Sequence, residues 1–285
     1  MKINYSCVVD NHDKFKKQGW IWLNSLIELG GINPAHIWVH CISGVNSEYI
    51  RKCEDIGVNV EIIEPFGDKK YCNKIPQMSN AKLKDADIVI LMDTDMVMLE
   101  NFERKVKGSD YIDCICGKIV DLSNPPIHVI DEVYKLAGLA KTLPDQFIEC
   151  EPVYTYGANF NGGLYVIPRK YYDVIETGWQ KWALWLLENE NGKPMYDAGR
   201  EANIDQVSFS MTVQENRLSI KYLDRSYNYP LPYDFGADEK PPYVLHYHDK
   251  VDDDFLLELD YEPRGNIKKA VDKANGLIKK LSMDL

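Results

Sequence analysis

Two aspartates, Asp93 and Asp95, stand one residue apart where an apolar segment, residues 88–92, ends. In an extended backbone the side chains of residues i and i+2 point to the same side, so the two carboxylates share one space. Carboxylates this close repel each other unless a cation lies between them. Oxygen ligands suit Mg²⁺ or Mn²⁺, especially where substrate phosphates complete the coordination shell. The pair therefore predicts a divalent-metal site that binds a phosphate-bearing ligand.

Two histidines, His246 and His248, end an apolar segment that begins at Val244. Histidine is a common ligand of transition ions such as Mn²⁺. A histidine that joins the two aspartates would favour Mn²⁺ over Mg²⁺. Either histidine could instead be a core residue bonded to the backbone, so the spacing leaves open which of the two is a ligand.

Three further polar motifs could face a phosphorylated sugar. Asn161 precedes a pair of glycines that begins at Gly162. Glycine lets the backbone approach a ligand closely, and the asparagine amide can both donate to and accept from sugar hydroxyls. Asp205 and Gln206 open a predicted helix, where aspartate is also a common cap. Lys74 could neutralise a diphosphate from the start of another predicted helix, or it could be a solvated lysine.

Alternating strands and helices over the first 100 residues must position these groups. Such alternation predicts a parallel sheet with helices on both faces, and ligands bind beyond the carboxyl ends of its strands. Asp10 and the 93–95 motif both follow predicted strands. The predicted strands cover residues 3–9, 37–42, 58–63 and 88–92, and the predicted helices cover 15–29, 48–56 and 73–83.

The second part of the chain is less regular. Strands are predicted over residues 111–116, 218–223 and 243–248, and residues 160–167 are predicted to be a turn, with Asn161-Gly162-Gly163, that leads into a strand. Helices are predicted over 131–139, 171–190, 204–214 and 267–281, and loops over 144–156 and 227–233. Because no repeat or low-complexity linker interrupts the chain, we expect one compact domain over residues 1–265 and a C-terminal amphipathic helix over 266–285. Residues 1–100 would form a nucleotide-binding half, and residues 101–265 a half for the donor sugar and the acceptor.

Composition narrows the function classes. The 285 residues carry a net charge of −11, which argues against nucleic acid as a partner. Seven cysteines without disulfide spacing, together with a beginning that reads as a strand and not as a signal peptide, predict free thiols in the cytoplasm. No apolar run is long enough to span a membrane. The terminal helix carries several lysines, so peripheral contact with an anionic membrane is an alternative to docking on the core.

Taken in order, these motifs resemble the GT-A glycosyltransferases, and they are most similar to family 8 with its glycogenin-like and galactosyltransferase-like members. The matching segments are residues 8–10, 73–74, 91–95, 159–164, 205–207 and 244–247. The resemblance implies an α/β fold with a Rossmann-like, mostly parallel sheet flanked by helices. The chain departs from the family where a glycine and Lys-Pro-Trp usually follow the metal histidine, because here Tyr247, His248 and Asp249 follow His246.

The resemblance also implies roles for the site residues. Asp93, Asp95 and His246 would hold Mn²⁺, with Mg²⁺ as the alternative ion. The nucleoside-diphosphate sugar would contact Thr94 in the acidic motif, Lys74, and a base and ribose pocket at Val9 and Asp10. The residues around the transferred sugar would be Asn161, Gly162, Asp205 and Gln206. Of these, Asn161, Asp205 and Gln206 would be the candidate catalytic groups, and Gly162 would contact the donor.

The expected reaction is transfer of a sugar from a nucleoside diphosphate, UDP above all, to a hydroxyl of a glycan, glycolipid or glycoprotein acceptor, with retention of anomeric configuration. Three alternatives stay open. Residues 93–97 also fit the motif of phosphatases that use an aspartate nucleophile, although no later acidic motif accompanies it. The chain could be a non-catalytic nucleotide-sugar-binding protein. It could also be an inverting transferase whose base lies within 234–239 or 249–254.

Overall fold

A seven-stranded sheet forms the centre of the fold in the computed structural model, which describes residues 1–283 and 285 and, among these, the side chains of all but residues 109 and 110. The strands are β1 Ile3–Val9, β2 Ile37–Ile42, β3 Asn59–Ile63, β4 Ile88–Met92, β5 Met96–Met98, β6 Ile115–Ile119, β7 Gln146–Phe147, β8 Tyr154–Thr155, β9 Phe160–Pro168, β10 Ile220–Leu223, β11 Tyr229–Pro230 and β12 Val244–His246. The α-helices are α1 Asp13–Asn24, α2 Ser47–Asp55, α3 Glu103–Val106, α4 Ser109–Ile112, α5 Ile127–Ala137, α6 Tyr172–Leu187, α7 Lys193–Asp197, α8 Ile204–Glu215 and α9 Gly265–Ile278.

The strand order in the large sheet is β10-β6-β9-β4-β1-β2-β3. Its neighbours run parallel, except that β9 is antiparallel to both β4 and β6. All five residues of β4 are buried, as expected for an apolar strand covered on both faces. The prediction of an α/β domain with a mostly parallel sheet flanked by helices is confirmed.

A small second sheet joins the end of the chain to the acidic motif. It has the order β11-β12-β5, and β5 begins directly after Asp95. β12 pairs antiparallel with β5 in a register that sets His246 opposite Met96. The N–H of Tyr247 donates to the carbonyl oxygen of Asp95 at 3.0 Å. Residues about 150 positions apart in sequence are therefore neighbours at one edge of the fold.

Helix α9 packs onto the back of the small sheet. Its Ile267 and Val271 lie in one buried cluster with Val97 of β5 and Leu245 of β12. The apolar face of this terminal helix is therefore part of the domain core. A membrane contact through α9 would have to use its exposed lysines without that face. In the part of the chain that the structure describes, no helix combines the length and the apolar character needed to cross a bilayer.

Two predicted elements have a different conformation. The helix predicted over 73–83 is a 3₁₀-helix over Tyr71–Ser79 with Pro76 inside it. Proline has no N–H to donate and disfavours the helical conformation of the residue before it, so a regular α-helix does not continue there. The strand predicted over 111–116 is wrong in its first half, because α4 covers Ser109–Ile112 and β6 begins only at Ile115.

Two further predictions of secondary structure are wrong. The segment 144–156, predicted as a loop, contains the two-stranded pair β7–β8. The Asn161-Gly162-Gly163 segment was expected to be a turn before a strand, but it lies inside β9. The ladder with β4 and β6 pairs Phe160 and residues 164–168, while Gly163 is tied to the end of β4 because its carbonyl oxygen accepts from the N–H of Asp93 at 2.9 Å.

Two helical glycines offer a matched test of the packing. A Cβ atom at Gly178 in α6 would lie 2.4 Å from Cγ2 of Thr212, a buried residue of α8, whereas a Cβ atom at Gly276 in α9 would meet no atom within 4 Å. We expect Gly178→Ala to lower the free energy of unfolding by about 1 kcal/mol, because the clash outweighs the gain in helix propensity. Gly276→Ala should raise it by about 1 kcal/mol. Urea denaturation measures both changes.

The clash can be separated from the helix effect. Thr212→Ser removes the methyl group that an alanine at position 178 would meet, so it should offset the loss in a double-mutant cycle. A Gly178→Ala variant that is as stable as the unaltered protein would contradict the tight α6–α8 contact.

Candidate functional site

A lysine and two carboxylates meet at the carboxyl end of β4. Lys74, on the 3₁₀-helix, places its Nζ atom 2.7 Å from Oδ1 of Asp93 and 3.4 Å from Oδ2 of Asp205. It also donates to the carbonyl oxygen of Gly162 at 3.3 Å. Burial lowers the pKa of the lysine, but the two carboxylates more than offset this and raise it above the usual value. Lys74 therefore stays charged between them.

Asp205 lies in the first turn of α8, as its sequence position suggested. Burial raises the pKa of its carboxyl group, and the positive charge of Lys74 opposes that rise. Gly162 makes the arrangement sterically feasible, since a Cβ atom there would lie only 3.3 Å from Nζ of Lys74. The structure thus brings together four predicted site residues, Lys74, Asp93, Gly162 and Asp205.

Asp95 turns the other way, toward the histidines of β12. Its Oδ1 atom lies 3.3 Å from Nε2 of His246. Burial raises the pKa of Asp95, and the two nearby histidines outweigh that effect and lower it. Burial likewise lowers the pKa of His246, and the carboxylate of Asp95 outweighs it and raises it. The two residues form a buried, charge-assisted contact.

Hydrogen bonds from two asparagine side chains in series, Asn228 and Asn161, orient the ring of His246. Its Nδ1 atom lies 3.0 Å from Oδ1 of Asn228, and an amide oxygen can only accept, so Nδ1 carries the proton and Nε2 faces the acidic motif. Asn228 in turn donates to Oδ1 of Asn161 at 3.1 Å. Asn161 also donates to Oδ2 of Asp121 at 3.0 Å. Asn161, predicted to face the sugar, therefore uses its amide to hold these neighbours.

His248 joins the same cluster. Its ring stacks on that of His246, with centroids 3.8 Å apart and an angle of 27° between the planes. One ligand atom each from Asp95, His246 and His248 lie within 4.8 Å of one another. Burial and the neighbouring His246 lower the pKa of His248 to about 4, so its ring is neutral at physiological pH. A carboxylate and neutral imidazole nitrogens are ligands that transition ions accept, so this set fits a divalent metal.

A cleft of about 450 Å³ opens beside the acidic motif. The predicted residues that line it are Asp10, Lys74, Asp93, Thr94 and Asp95. Val9 does not line it, because its side chain is fully buried in the core and Val8 takes the position on the cleft wall. Successive strand residues face opposite sides, and the sequence did not indicate which side of β1 meets the cleft.

Two aromatic side chains in this cleft were missed. Phe15 is 39% exposed and Tyr71 is 53% exposed, and both line the cavity. Their signal in the sequence is an aromatic residue among lysines, since Phe15 follows Lys14 and Tyr71 follows Lys70. Exposed aromatic rings beside charged groups are typical of surfaces that bind the base of a nucleotide.

A smaller cavity of about 220 Å³ lies on the other side of the histidines, bordered by Asp121, Asn161, Gln206 and His248 among others. The amide of Gln206 donates to Oδ1 of Asn159 at 2.6 Å and to the carbonyl oxygen of Asn124 at 3.2 Å. Asp121 accepts from Asn161 and from the buried Lys118. Asp121 and Asn228 escaped the sequence analysis because a single Asp or Asn carries no motif.

Sequence comparison leaves the family unassigned. No protein-family model matches the chain. The sequence also matches none of the curated proteins.

Solved structures do match the fold. The galactosyltransferase LgtC, solved in complex with donor and acceptor sugar analogues, is 11% identical, with a TM-score of 0.59 over 98% of this chain and 96% of its own. Mouse xyloside xylosyltransferase 1 is 13% identical, with a TM-score of 0.53 over 87% of this chain and 98% of its own. The glycosyltransferase GlyE of Streptococcus pneumoniae is 13% identical, with a TM-score of 0.51 over 98% of this chain and 63% of its own.

These neighbours are sugar transferases from different sources, and two of the three are covered almost completely by this chain. Identities of 11 to 13% speak for the fold alone. The chain has the GT-A glycosyltransferase fold.

Proposed function

We propose that the protein is a metal-dependent glycosyltransferase that moves a sugar from a nucleoside-diphosphate donor, UDP-linked above all, to a hydroxyl of a glycan, glycolipid or glycoprotein. The observation that carries the proposal is the meeting of Lys74, Asp93, Asp95 and His246 at one edge of a GT-A sheet beside an open cleft. A cation site and a buried lysine at this place suit a diphosphate, which is the leaving group of such a reaction.

The cleft contains side chains suited to the base, the ribose and the phosphates of a nucleotide. Phe15 and Tyr71 supply aromatic surface for the base, and Asp10 supplies a carboxylate for the ribose hydroxyls. Lys14 and Lys70 line the same cleft and add positive charge for phosphate oxygens. An acidic chain can therefore hold an anionic donor, because three lysines and a bound divalent ion would offset the aspartates of the cleft where the phosphates would lie.

Asp95 and His246 are the residues that would hold the ion, Mn²⁺ in the first place and Mg²⁺ as the alternative. A bound divalent ion acts as a Lewis acid that neutralises charge on the departing diphosphate. Lys74 contributes a second fixed positive charge, held in place by Asp93 and Asp205 before any ligand arrives. Such preorganised charge stabilises a transition state without further rearrangement.

Asp205 and Gln206 are placed to position the transferred sugar. Asp205 lies beside Lys74 on the donor side, while Gln206 borders the smaller cavity. The hydrogen bonds from Gln206 to Asn159 and Asn124 fix its amide group. An amide cannot act as a general base, so its role would be orientation of sugar hydroxyls.

Retention of configuration is the stereochemistry that we propose. An inverting transferase needs a general base near the acceptor hydroxyl, and Asp121 is a carboxylate that borders the smaller cavity. Both of its oxygens are already engaged, one in an ion pair with the buried Lys118 and the other in a hydrogen bond from Asn161, so neither faces an acceptor hydroxyl alone.

The alternatives have less support. The fold matches sugar transferases, and Asp93, which would be the nucleophile of a phosphatase, is paired with Lys74. A non-catalytic binding protein would have no need for a carboxylate, a lysine and histidines converging on one cleft. The following measurements separate these classes.

Donor binding is tested by a thermal-shift panel of UDP-, GDP-, CMP- and ADP-linked sugars, with and without Mn²⁺. We expect a UDP-sugar at a hundred times its Kd to raise Tm by roughly 5 °C when Mn²⁺ is present, since a ligand stabilises the state that it binds. Asp95→Asn and His246→Ala should abolish the Mn²⁺-dependent part of that shift.

The controls are Asp55→Asn on α2 and His128→Ala on α5, because both residues are exposed and lie outside the cleft. They should respond like the unaltered protein. If none of the nucleotide sugars shifts Tm in the presence of Mn²⁺, the transferase proposal fails. Release of phosphate from phosphate esters would favour the phosphatase alternative.

The base platform is tested by Tyr71→Ala. We expect it to weaken UDP binding about tenfold in the presence of Mn²⁺, because stacking on one aromatic ring contributes about 1–3 kcal/mol per base. Binding of inorganic pyrophosphate should be unchanged. Tyr154→Ala is the matched control, since Tyr154 is 61% exposed on the β8 strand and does not line the cleft. Calorimetric titration measures the affinities of the unaltered protein and of both variants for UDP and for pyrophosphate. Equal loss of UDP and pyrophosphate binding in Tyr71→Ala would contradict a base contact.

Stereochemistry is tested by proton NMR of the product formed by the unaltered enzyme. We expect the anomeric coupling of the transferred sugar to match that of the donor. Asp121→Asn should keep measurable turnover. An inverted product together with inactive Asp121→Asn would instead identify Asp121 as a general base.

A further inference from the structure

The two aspartates of the acidic motif have different partners. Asp93 lies 2.7 Å from Nζ of Lys74, and that lysine is held from its other side by Asp205. A carboxylate neutralised by a lysine attracts a second cation less strongly. Lys74 would also repel a divalent ion bound to the carboxylate of Asp93. Asp95 points instead to the histidine side of the site.

Three ligand atoms converge on that side. The carboxylate of Asp95 and one ring nitrogen each of His246 and His248 lie within 4.8 Å of one another. Ligands about 2.1 Å from one ion can be at most ~4.2 Å apart, so closing this set around an ion needs shifts of a few tenths of an ångström. Asp93 is not part of this convergent set.

His246 presents the correct nitrogen. Its Nδ1–H is used in the hydrogen bond to Asn228, which leaves Nε2 on the side of Asp95, where a metal ion would displace the proton that Nε2 shares with the carboxylate. Metal-binding histidines usually make such a bond with their second nitrogen, which fixes the tautomer and the direction of the ring. Gly163 gives the ring its place, because a Cβ atom there would lie 2.6 Å from Cε1 of His246.

His248 is brought to the cluster by an unusual backbone. Its φ angle is +53°, a left-handed conformation that a residue with a side chain adopts only at a cost in free energy. The bend stacks its ring on that of His246 at 3.8 Å. To share an ion, the ring planes must open beyond their 27° angle, and His248 is partly exposed and borders the smaller cavity, so it has room to turn.

We propose that His248 is a direct metal ligand, so that the protein binds its ion through two histidines and one carboxylate, Asp95, while Asp93 serves to hold Lys74. This inference rests on the proposed function for the identity of the site, but it concerns the ligands and not the reaction. Imidazole-rich sets favour transition ions, whereas Mg²⁺ prefers oxygen. The site therefore selects Mn²⁺ or Zn²⁺ over Mg²⁺.

The test is metal binding to the full chain without any nucleotide. Calorimetric titration should give an affinity for Mn²⁺ at least about tenfold above that for Mg²⁺. Pulsed electron paramagnetic resonance of the Mn²⁺ complex should detect two coupled imidazole nitrogens. His248→Ala should leave one coupled nitrogen and weaken Mn²⁺ binding by at least about tenfold. Because loss of an outer-shell partner also costs about 10–100-fold, the number of coupled nitrogens identifies the ligand. His248→Asp should narrow the preference for Mn²⁺ over Mg²⁺.

Two variants complete the design. Asp93→Asn should keep both nitrogen couplings and lower the affinity for Mn²⁺ less than His248→Ala does. His128→Ala, which removes an exposed histidine of α5, should behave like the unaltered protein. Circular dichroism and urea denaturation of each variant show that a lost affinity is not a lost fold.

The outcomes separate this inference from the proposed function. A single coupled nitrogen in the unaltered protein, or unchanged Mn²⁺ affinity in His248→Ala, overturns the role of His248, even if UDP-sugars bind with Mn²⁺. Absence of Mn²⁺ binding also overturns it. Two coupled nitrogens that depend on His248 support it, even if the nucleotide-sugar panel fails.

Discussion

The antiparallel pairing of β5 with β12 is the contact on which the candidate site depends. β5 follows the acidic motif without a gap, and the register that sets His246 opposite Met96 also ties Tyr247 to the carbonyl of Asp95. A shift of one residue would turn the histidines to the other side of the strand. The cluster behind this sheet, to which α9 contributes Ile267 and Val271, makes such a shift costly. The end of the chain thus fixes geometry at the end of β4.

The charged side chains of this site lie next to partners of opposite charge. The chain carries a net charge of −11, yet the edge that would receive a diphosphate contains a buried lysine between two carboxylates and a histidine against a third. Each charge is stabilised by a partner of opposite sign, which offsets the cost of removing it from water. Positive charge is therefore already in position at the cleft in a protein that repels anions over most of its surface.

The sequence determined the large sheet well and the site only in outline. Long apolar segments such as Ile37–Ile42 and Ile88–Met92 have the predicted bounds, because burial on both faces leaves an unambiguous pattern. The sequence could not assign Val8 and Val9 to opposite faces of β1, since both are apolar and each fits either environment. It could not reveal Asn228, whose importance comes from a contact with His246 across the small sheet.

The acidic motif illustrates the same limit at atomic scale. An i, i+2 spacing in an extended strand places two side chains on one side, but the backbone leaves the strand at Met92. Asp93 and Asp95 then face different partners, Lys74 and His246. Spacing predicted that the two carboxylates lie at the site, and the tertiary contacts give each of them a different partner.

The adjacent glycines of β9, Gly162 and Gly163, restrict which residues can stand next to the two positively charged groups of the site. Gly162 lies against Lys74 and Gly163 lies against His246, so two consecutive positions without side chains serve the two cations. Any larger residue at position 163 displaces the histidine ring, and one at position 162 presses on the lysine. Because Nζ of Lys74 ends a flexible side chain, a methyl group at position 162 needs only a small shift of the lysine, whereas one at position 163 must move the histidine ring. The second glycine is thus the more constrained of the two.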